Sequence, residues 1–187
     1  MNEIQIISGC LKNEASAQKS LVETYAGYLF TVARRYMPDE ASAQDALQEG
    51  FIKVFQNFGQ FSQEKGKLKS WMSRIVANEC LRRRKKYIDY YQSSDPETLY
   101  IKADPKVWSK LHEEEILNLI RELPDQYRMV FNLYVMEGFD HKEIGEKLNI
   151  NASTSRSNLA RAKAILRKRI IQTENDNSWE KINLNIV

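Results

Sequence analysis

Two clusters of basic side chains in this 187-residue sequence could bind a polyanion. The first is segment 82–86, RRRKK, and the second is segment 150–172, which has six Arg and Lys residues and no acid. Segment 92–115, between them, has six acids and three bases. Because Arg and Lys neutralise phosphates, this distribution predicts two surfaces that face a nucleic acid, joined by a segment that does not contact it. One such cluster alone would more simply be a solvated face.

The composition, 42% hydrophobic and 28% charged, is typical of a soluble globular protein with one ordinary domain or two small ones. The apolar runs are short and the N-terminus lacks the pattern of a signal peptide, so we expect a cytoplasmic protein without a membrane-inserted segment. Cys10 and Cys80 have neither a CxxC spacing nor a neighbouring His, which predicts no disulfide framework and no zinc site. We expect no metal and no cofactor.

The sequence predicts an all-α fold, since glycine and proline are few and apolar residues recur at intervals of three and four. We expect two small helical bundles joined by a flexible linker. The predicted parts are an N-terminal domain at 10–91, the linker at 92–110, a C-terminal domain at 111–172 and a tail at 173–187. The predicted helices are at about 3–12, 14–37, 40–58, 67–90, 111–122, 125–136, 140–148 and 152–171.

The helix expected at 40–58 has two different faces. Its core-facing residues are Leu47, Phe51, Val54, Phe55 and Phe58. Its other face holds Asp45, Gln48, Glu49, Ile52 and Gln56. An exposed isoleucine among acids and amides could dock on a partner, or the face could simply be solvated, and composition leaves both interpretations open.

The helix expected at 67–90 repeats this arrangement with the opposite charge. Its buried side holds Leu68, Trp71, Met72, Ile75, Val76 and Cys80. Another face carries Lys67, Arg74, Asn78, Arg82 and Lys85 at separations of three, four or seven. Cations interleaved with an amide suit a nucleic acid, because the cations neutralise phosphates and the amide can contact the edge of an extruded base. Solubilising charge is an equally good explanation at this point.

The C-terminal helices predict a helix-turn-helix, whose second helix enters the major groove of DNA. The helix at 125–136 should bury Val130, Leu133 and Tyr134, with Phe131 at its flank. The helix at 140–148 should point Ile144 and Leu148 inward, and Gly145 allows a neighbouring backbone to come close. Asn151 or Ser153 would cap the last helix, which packs through Leu159, Ala162, Leu166 and Ile170.

The start of this last helix carries residues that could approach base edges or the nearest phosphates: Thr154, Arg156, Ser157 and Asn158. Arg161, Lys163 and the run Arg167 to Arg169 would contact the DNA backbone. The charge pattern agrees with this geometry, because the supporting helix does not meet phosphate whereas the inserted helix lies between phosphates.

The motifs resemble those of the extracytoplasmic-function (ECF) group of bacterial RNA polymerase sigma factors, within the sigma-70 family. AQDALQEGFIKVF, residues 43–55, and LKSWMSRIVANECLRRRKK, residues 68–86, are similar to region 2 of that family. EIGEKLNI and STSRSNLARAKAILR are similar to region 4, the helix-turn-helix that recognises the upstream promoter box. This sequence has Gly145 where alanine is usual, and Ser153, Ser155 and Asn158 where glycine, valine and arginine are common.

The resemblance implies an alternative sigma factor that binds core RNA polymerase and directs transcription initiation at specific promoters. The residues implied to face the polymerase clamp helices are Asp45, Gln48, Glu49, Ile52 and Lys53. Those implied at the downstream promoter box are Trp71, Arg74, Asn78, Arg82, Arg83 and Lys86, with Asn78 capturing a base. Those implied at the upstream box are Thr154, Arg156, Ser157, Asn158, Arg161 and Lys163. The resemblance also implies an anti-sigma factor as a partner, and no small-molecule substrate.

Two other functions compete with this one. A classical helix-turn-helix regulator independent of polymerase would bind a palindromic site by itself. A metal-dependent nuclease would use His112 and Glu113 to Glu115, but adjacent carboxylates splay around a helix instead of converging. A run of acids at a helix start is more simply explained by the helix dipole, so we expect no enzyme.

Overall fold

The computed structural model describes residues 1–92 and 117–175, and the side chains of residues 1–85 and 117–171. The chain divides into two compact units, Met1–Lys106 and Val107–Val187. Within the described residues the regular secondary structure is entirely helical, which confirms the all-α prediction. In these same parts of the chain, no helix combines the length and apolarity needed to cross a bilayer. Residues 93–110 of the expected linker, residues 176–187 of the expected tail and the acidic run at 112–115 lie outside the described residues. Gln92, expected in the linker, ends α4, and residues 173–175, expected in the tail, continue α8.

In its described part, residues 1–92, the first unit has four α-helices. These are α1 (Glu3–Leu11), α2 (Ala15–Tyr36), α3 (Glu40–Gln56) and α4 (Leu68–Gln92), with 3-10 turns at Phe58–Gln60 and Gln63–Lys65 between the last two. Asn2 and Gln5 form a capping box at the start of α1, and Asp39 accepts a hydrogen bond from the Ser42 amide at 2.7 Å at the start of α3. These caps satisfy free amides at the helix starts, which is why the helices begin within one residue of the expected positions.

The core of the first unit lies where α2, α3 and α4 meet. Its fully buried side chains include Leu29 and Val32 of α2, Val54 of α3, and Met72 and Val76 of α4. Burying a side chain of this size stabilises the fold by about 1.5–3 kcal/mol relative to leaving it exposed.

Fewer large apolar residues on the core-facing side of α3 are buried than the apolar spacing predicts. Phe51, Val54 and Phe58 are buried as expected, but Leu47 and Phe55 are only half-buried, and small residues take their place against α4. A methyl group added at Gly50 would lie 2.8 Å from Cγ2 of Val76. The two helices therefore approach too closely for a larger side chain at that position, and Leu47 and Phe55 are displaced to the flanks.

The described part of the second unit contains α5 (residues 117–121), α6 (Asp125–Phe131), α7 (His141–Leu148) and α8 (Ala152–Asn175). A π-helical turn, Asn132–Met136, extends α6, and the Glu137 amide donates to the Asn132 carbonyl at 3.1 Å. This wider turn rotates the residues that follow it. Val130 and Phe131 before this turn and Leu133 within it are buried, whereas Tyr134 is 39% exposed, so the expectation of a buried Tyr134 was wrong.

Helices α7 and α8 form the expected helix-turn-helix. Asp140 and Glu143 form a capping box at the start of α7, and Asn149 ends it in the left-handed conformation at φ 54°. Ile144 is fully buried and Leu148 is half-buried. Helix α8 begins at Ala152, so Asn151 occupies the position before the helix and Ser153 lies inside it, which excludes Ser153 as the cap.

Candidate nucleic-acid and protein interfaces

The polar side of α3 forms one exposed face, which we call the α3 surface: Asp45, Gln48, Glu49, Ile52 and Lys53. Successive separations of three, one, three and one residues place all five on the same side of a helix. Ile52 is 49% exposed, although isoleucine is a residue that usually packs inside. A single exposed apolar side chain is normal on a protein surface, so the docking role of this face is what the family resemblance implies.

Arg83 of α4 lies against two carboxylates of the α3 surface. Its Nη1 is 3.3 Å from Oδ2 of Asp45, and its Nη2 is 3.9 Å from Oε1 of Glu49. The Arg83 side chain is 29% exposed. The resemblance implied a DNA contact for Arg83, but the structure places this guanidinium against α3.

Glu79 is a buried carboxylate that sequence reasoning missed. It is 4% exposed, and it accepts hydrogen bonds from Nε of Arg82 at 3.0 Å on both of its oxygens. Its Oε1 also lies 4.0 Å from Nε of Arg83. A buried carboxylate requires paired cations, so the two successive arginines were the available signal for it.

The downstream-box residues of α4 occupy different environments. Asn78 and Arg82 are exposed one helical turn apart, Arg74 is half-buried, and the Lys86 side chain lies outside the described side chains. Trp71 is half-buried in an aromatic cluster, with its ring centroid 5.7 Å from Phe58 and 5.3 Å from Phe61. Asn78 and Arg82 are thus the members of this set that a DNA strand could reach directly.

The start of α8 presents an exposed cationic face in the second unit. Arg156, Ser157 and Arg161 are exposed, and Thr154 and Lys163 are half-buried. Nη1 of Arg161 donates to the Tyr127 hydroxyl at 3.3 Å, which ties this side chain to α6. At the far end of α8, Nη1 of Arg169 pairs with Glu122 at 2.7 Å.

Asn158 does not belong to this exposed face. Its side chain is 3% exposed, and its Nδ2 has no hydrogen-bond partner among the described residues. The expectation that Asn158 approaches a base edge is therefore wrong for this structure. Position 158 is four residues before Ala162 and eight before Leu166, both on the packing side of α8, and this spacing was the signal for its burial.

Ser155 and His141 form a second buried polar contact that sequence reasoning missed. The Ser155 hydroxyl oxygen lies 2.9 Å from Nδ1 of His141, and Ser155 is fully buried. The His141 ring stacks on Tyr134 with centroids 4.5 Å apart. Burial and the nearby Arg156 lower the pKa of His141, while Asp140 acts in the opposite direction. The contact joins the first residue of α7 to α8 within the helix-turn-helix.

Residues 21–87 match the family model of sigma-70 region 2, and residues 113–166 match that of sigma-70 region 4. The chain belongs to the sigma-70 family. Within it, the chain is an ECF sigma factor. ECF RNA polymerase sigma factor SigW of Bacillus subtilis is 29% identical over 172 residues, which cover 85% of this chain and 91% of SigW. SigE of Mycolicibacterium smegmatis is 27% identical, and the match covers 79% of this chain and 59% of SigE.

Two solved structures share the fold of this sigma factor. The sigma factor RpoE from Bartonella quintana, in complex with the anti-sigma factor NepR, is 20% identical with a TM-score of 0.56, and the match covers 80% of this chain and 94% of RpoE. CnrH, in complex with the cytosolic domain of CnrY, is 18% identical with a TM-score of 0.51, and the match covers 89% of this chain and 96% of CnrH. At this identity the likeness establishes the fold alone.

Family membership confirms the predicted class of function and its partners. An alternative sigma factor binds core RNA polymerase and promoter DNA and acts in transcription initiation. The family consists of transcription initiation factors, not enzymes. A regulator independent of polymerase is not favoured.

Proposed function

We propose that this sigma factor divides promoter recognition between its two units. The α3 surface docks on core polymerase, α4 contacts the melted downstream box, and α8 enters the major groove at the upstream box. The observation that carries the proposal is the exposure of the α3 surface in the first unit and of Arg156 and Arg161 of α8 in the second, each in a unit with its own buried apolar core. The chain itself makes or breaks no bond, and it acts in the cytoplasm.

In the first unit, Asn78 captures an unstacked base of the downstream box. Its amide presents both donors and an acceptor, which suits the edge of an extruded base. Arg82, one turn further along α4, contacts the strand backbone, with Arg74 and Lys86 beside it. Trp71 contributes through the aromatic cluster, which supports this part of α4.

Base capture supplies only part of the free energy of melting. Opening a duplex costs about 1.4 kcal/mol per base-pair step. Stacking a single base on a protein side chain returns on the order of 1–3 kcal/mol. One captured base cannot hold open a bubble of several pairs, so the core enzyme must share the cost. We expect the isolated chain to bind promoter DNA weakly.

In the second unit, Arg156 and Ser157 approach base edges or the nearest phosphates, and Thr154 lies beside them at the start of α8. Arg161 and Lys163 contact the backbone. The hydrogen bond from Arg161 to Tyr127 supports this assignment, because a guanidinium held by a second helix loses less freedom when it meets a phosphate.

The α3 surface is also the place where an anti-sigma factor would inhibit this protein. The two solved structures described above are both of complexes, one with the anti-sigma factor NepR and one with the cytosolic domain of CnrY. A partner that covers the α3 surface would prevent polymerase from docking there. Co-purification from cells should recover such a protein alongside polymerase.

Run-off transcription with purified core polymerase on a genomic library tests the proposed function. We expect transcripts only when the chain is added, from promoters that share two unlike boxes at a fixed spacing. The isolated chain should bind the same promoters weakly. Tight binding of the isolated chain to a palindromic site, without transcription, would contradict the proposal and favour a classical helix-turn-helix regulator.

A further inference from the structure

We infer that Arg83 is a positioning residue for polymerase docking, and not a DNA contact. It orients the carboxylates of Asp45 and Glu49 on the α3 surface. This inference rests on the proposed docking of polymerase at that surface. It departs from the role that the sequence resemblance implies for Arg83.

The geometry of Arg83 fits a positioning role. Asp45 and Glu49 are one helical turn apart on α3, and separate Nη atoms of the same guanidinium lie 3.3 Å and 3.9 Å from them. The planar fork of a guanidinium has several donors in fixed directions, so one Arg can hold two acceptors at a defined separation. Gln48 lies between these two carboxylates in the sequence and is the remaining polar residue of that turn.

Glu79 holds the same guanidinium from the α4 side. Its buried carboxylate lies 4.0 Å from Nε of Arg83 and also binds Arg82. Arg83 therefore lies between one carboxylate on its own helix and two on α3. The contact with Asp45 is a hydrogen bond and those with Glu49 and Glu79 are longer ion pairs, so electrostatic attraction from three carboxylates restricts the side chain before any partner binds.

The charges around Arg83 disfavour a phosphate contact. Three carboxylates, those of Asp45, Glu49 and Glu79, surround two guanidiniums, those of Arg82 and Arg83. Asp45 and Glu49 pair with Arg83, whereas the partner of Arg82 in this cluster is Glu79, so the negative charge is concentrated around Arg83. A phosphate approaching Arg83 would meet like charges within a few ångströms. Arg83 is also less exposed than Arg82, at 29% against 57% of the side chain.

Preorganised carboxylates explain how Arg83 affects docking. A flexible acidic side chain loses rotamer freedom when a partner fixes it, and Arg83 has already imposed that restriction on Asp45 and Glu49. Removing Arg83 also makes the α3 surface more negative, which would strengthen attraction to a cationic partner. The two effects have opposite signs, so the change in core affinity discriminates between them.

The test measures the Kd of the full chain for purified core polymerase. Arg83→Ala should raise the Kd by about tenfold, the order expected from freeing two side chains. Arg83→Lys should raise it less, because an ammonium keeps the charge but loses the fork. In the double variant Arg83→Ala with Asp45→Asn, the loss should be smaller than the sum of the single losses, since both remove one interaction.

A second measurement distinguishes positioning from DNA contact. The affinity of the assembled holoenzyme for promoter DNA is measured against salt concentration. A phosphate contact at Arg83 would lower the salt slope by about one in the Arg83→Ala variant, whereas a positioning role leaves the slope unchanged. Lys19→Ala is the matched control: it removes one cation and an exposed ion pair to Glu23 at 3.8 Å in the same unit, and should change neither quantity.

Three results would overturn the inference: an unchanged Kd for Arg83→Ala, a lowered Kd, or a reduced salt slope. Should Arg83→Ala unfold, the Kd of Arg83→Lys for core polymerase tests the inference instead. Wild-type affinity in that variant would contradict a role for the guanidinium fork. Failure of the wild-type chain to bind core at all removes the proposed function together with this inference. Normal wild-type binding with an unaffected Arg83→Ala variant removes this inference alone.

Discussion

His141 and Ser155 are joined across the helix-turn-helix by a contact of 2.9 Å between Nδ1 and the hydroxyl oxygen. Ser155 is fully buried, and the imidazole also stacks on Tyr134. Ser155 replaces the valine that is common at this position in similar sigma factors. The packing of α7 on α8 therefore includes a titratable group in a place where an apolar contact is usual.

We expect the second unit to lose stability at mildly acidic pH because of His141. Burial, and then the charge of Arg156, lower the pKa of His141 in the folded state below the usual value of about 6.5. The unfolded chain therefore binds more protons between these two pKa values, and stability rises with pH across that window. The contribution is complete above about pH 6.5 and is lost as the pH falls through the folded-state pKa.

Amide hydrogen exchange in α7 and α8, measured near neutral pH and at pH 5, tests this expectation. His141→Phe keeps a ring that can stack on Tyr134 and removes the titration. Protection in the wild type should fall more steeply with acid than protection in the variant, after correction for the intrinsic exchange rate. Equal losses in the two proteins would show that His141 does not contribute.

Gly145→Ala should destabilise the helix-turn-helix. A methyl group at Gly145 would lie 2.6 Å from the carbonyl oxygen of Ile150, and this atom belongs to the backbone of the turn. Overpacking costs about 1–3 kcal/mol, while replacing a helical glycine by alanine returns about 0.5–1 kcal/mol. The net loss should be on the order of 1 kcal/mol, seen as faster amide exchange in α7.

Gly27→Ala is the control for this substitution. Gly27 lies within α2, and an added methyl group would meet nothing within 4 Å. The same change should there slow amide exchange, by a gain of about 0.5–1 kcal/mol. If Gly145→Ala also slows exchange, the turn at Ile150 relaxes easily, as the usual alanine in similar proteins would permit.

The sequence predicted the helices well because their ends carry local signals. Asp39 and Asp140 cap helices by accepting from amides two or three residues ahead, and such contacts depend on neighbours in the chain. The close approach at Gly145 was also predictable, because only a small residue suits a tight helical turn. Asp45, Gln48, Glu49 and Ile52 of the α3 surface followed from helical periodicity, whereas Lys53 and the docking role came from the family resemblance.

What could not be predicted depends on contacts between helices or on irregular backbone. The π-helical turn at Asn132–Met136 changes which residues face inward, and no local motif marks it. Arg83 belongs to a basic run, yet its partners Asp45 and Glu49 are more than thirty positions away in the chain. The burial of Asn158 is unexpected for a polar side chain, although its spacing of four residues from the buried Ala162 is consistent with burial.

Substitutions at Asn158 and Arg156 should have different effects, because Asn158 affects the stability of the fold and Arg156 affects DNA binding by α8. Nδ2 of Asn158 is buried without a hydrogen-bond partner among the described residues, and leaving such a group unpaired costs about 1–3 kcal/mol. Asn158→Leu should therefore maintain or increase stability and leave promoter choice unchanged. Arg156→Ala should weaken holoenzyme binding to promoters by about 1–3 kcal/mol while leaving stability unchanged.

Thermal unfolding and holoenzyme binding to a set of upstream-box variants measure both effects. A change of preferred box in Asn158→Leu would mean that this side chain leaves its buried position when DNA binds. Wild-type affinity in Arg156→Ala would exclude Arg156 from the interface.

A positive charge introduced at Gln48 should disrupt docking on core polymerase without disturbing the fold. Gln48 is exposed in the middle of the α3 surface, and its side chain takes no part in the ion pairs of Arg83, so Gln48→Lys changes the surface and leaves the cluster intact. A lysine there opposes a cationic partner, and like-charge juxtaposition at an interface costs several kcal/mol. We therefore expect at least a hundredfold loss of core affinity, since each 1.4 kcal/mol is tenfold. Glu23→Lys, an equally exposed change on α2, should leave the affinity near that of the wild type. Equal affinities for the two variants would place the polymerase-binding site away from the α3 surface.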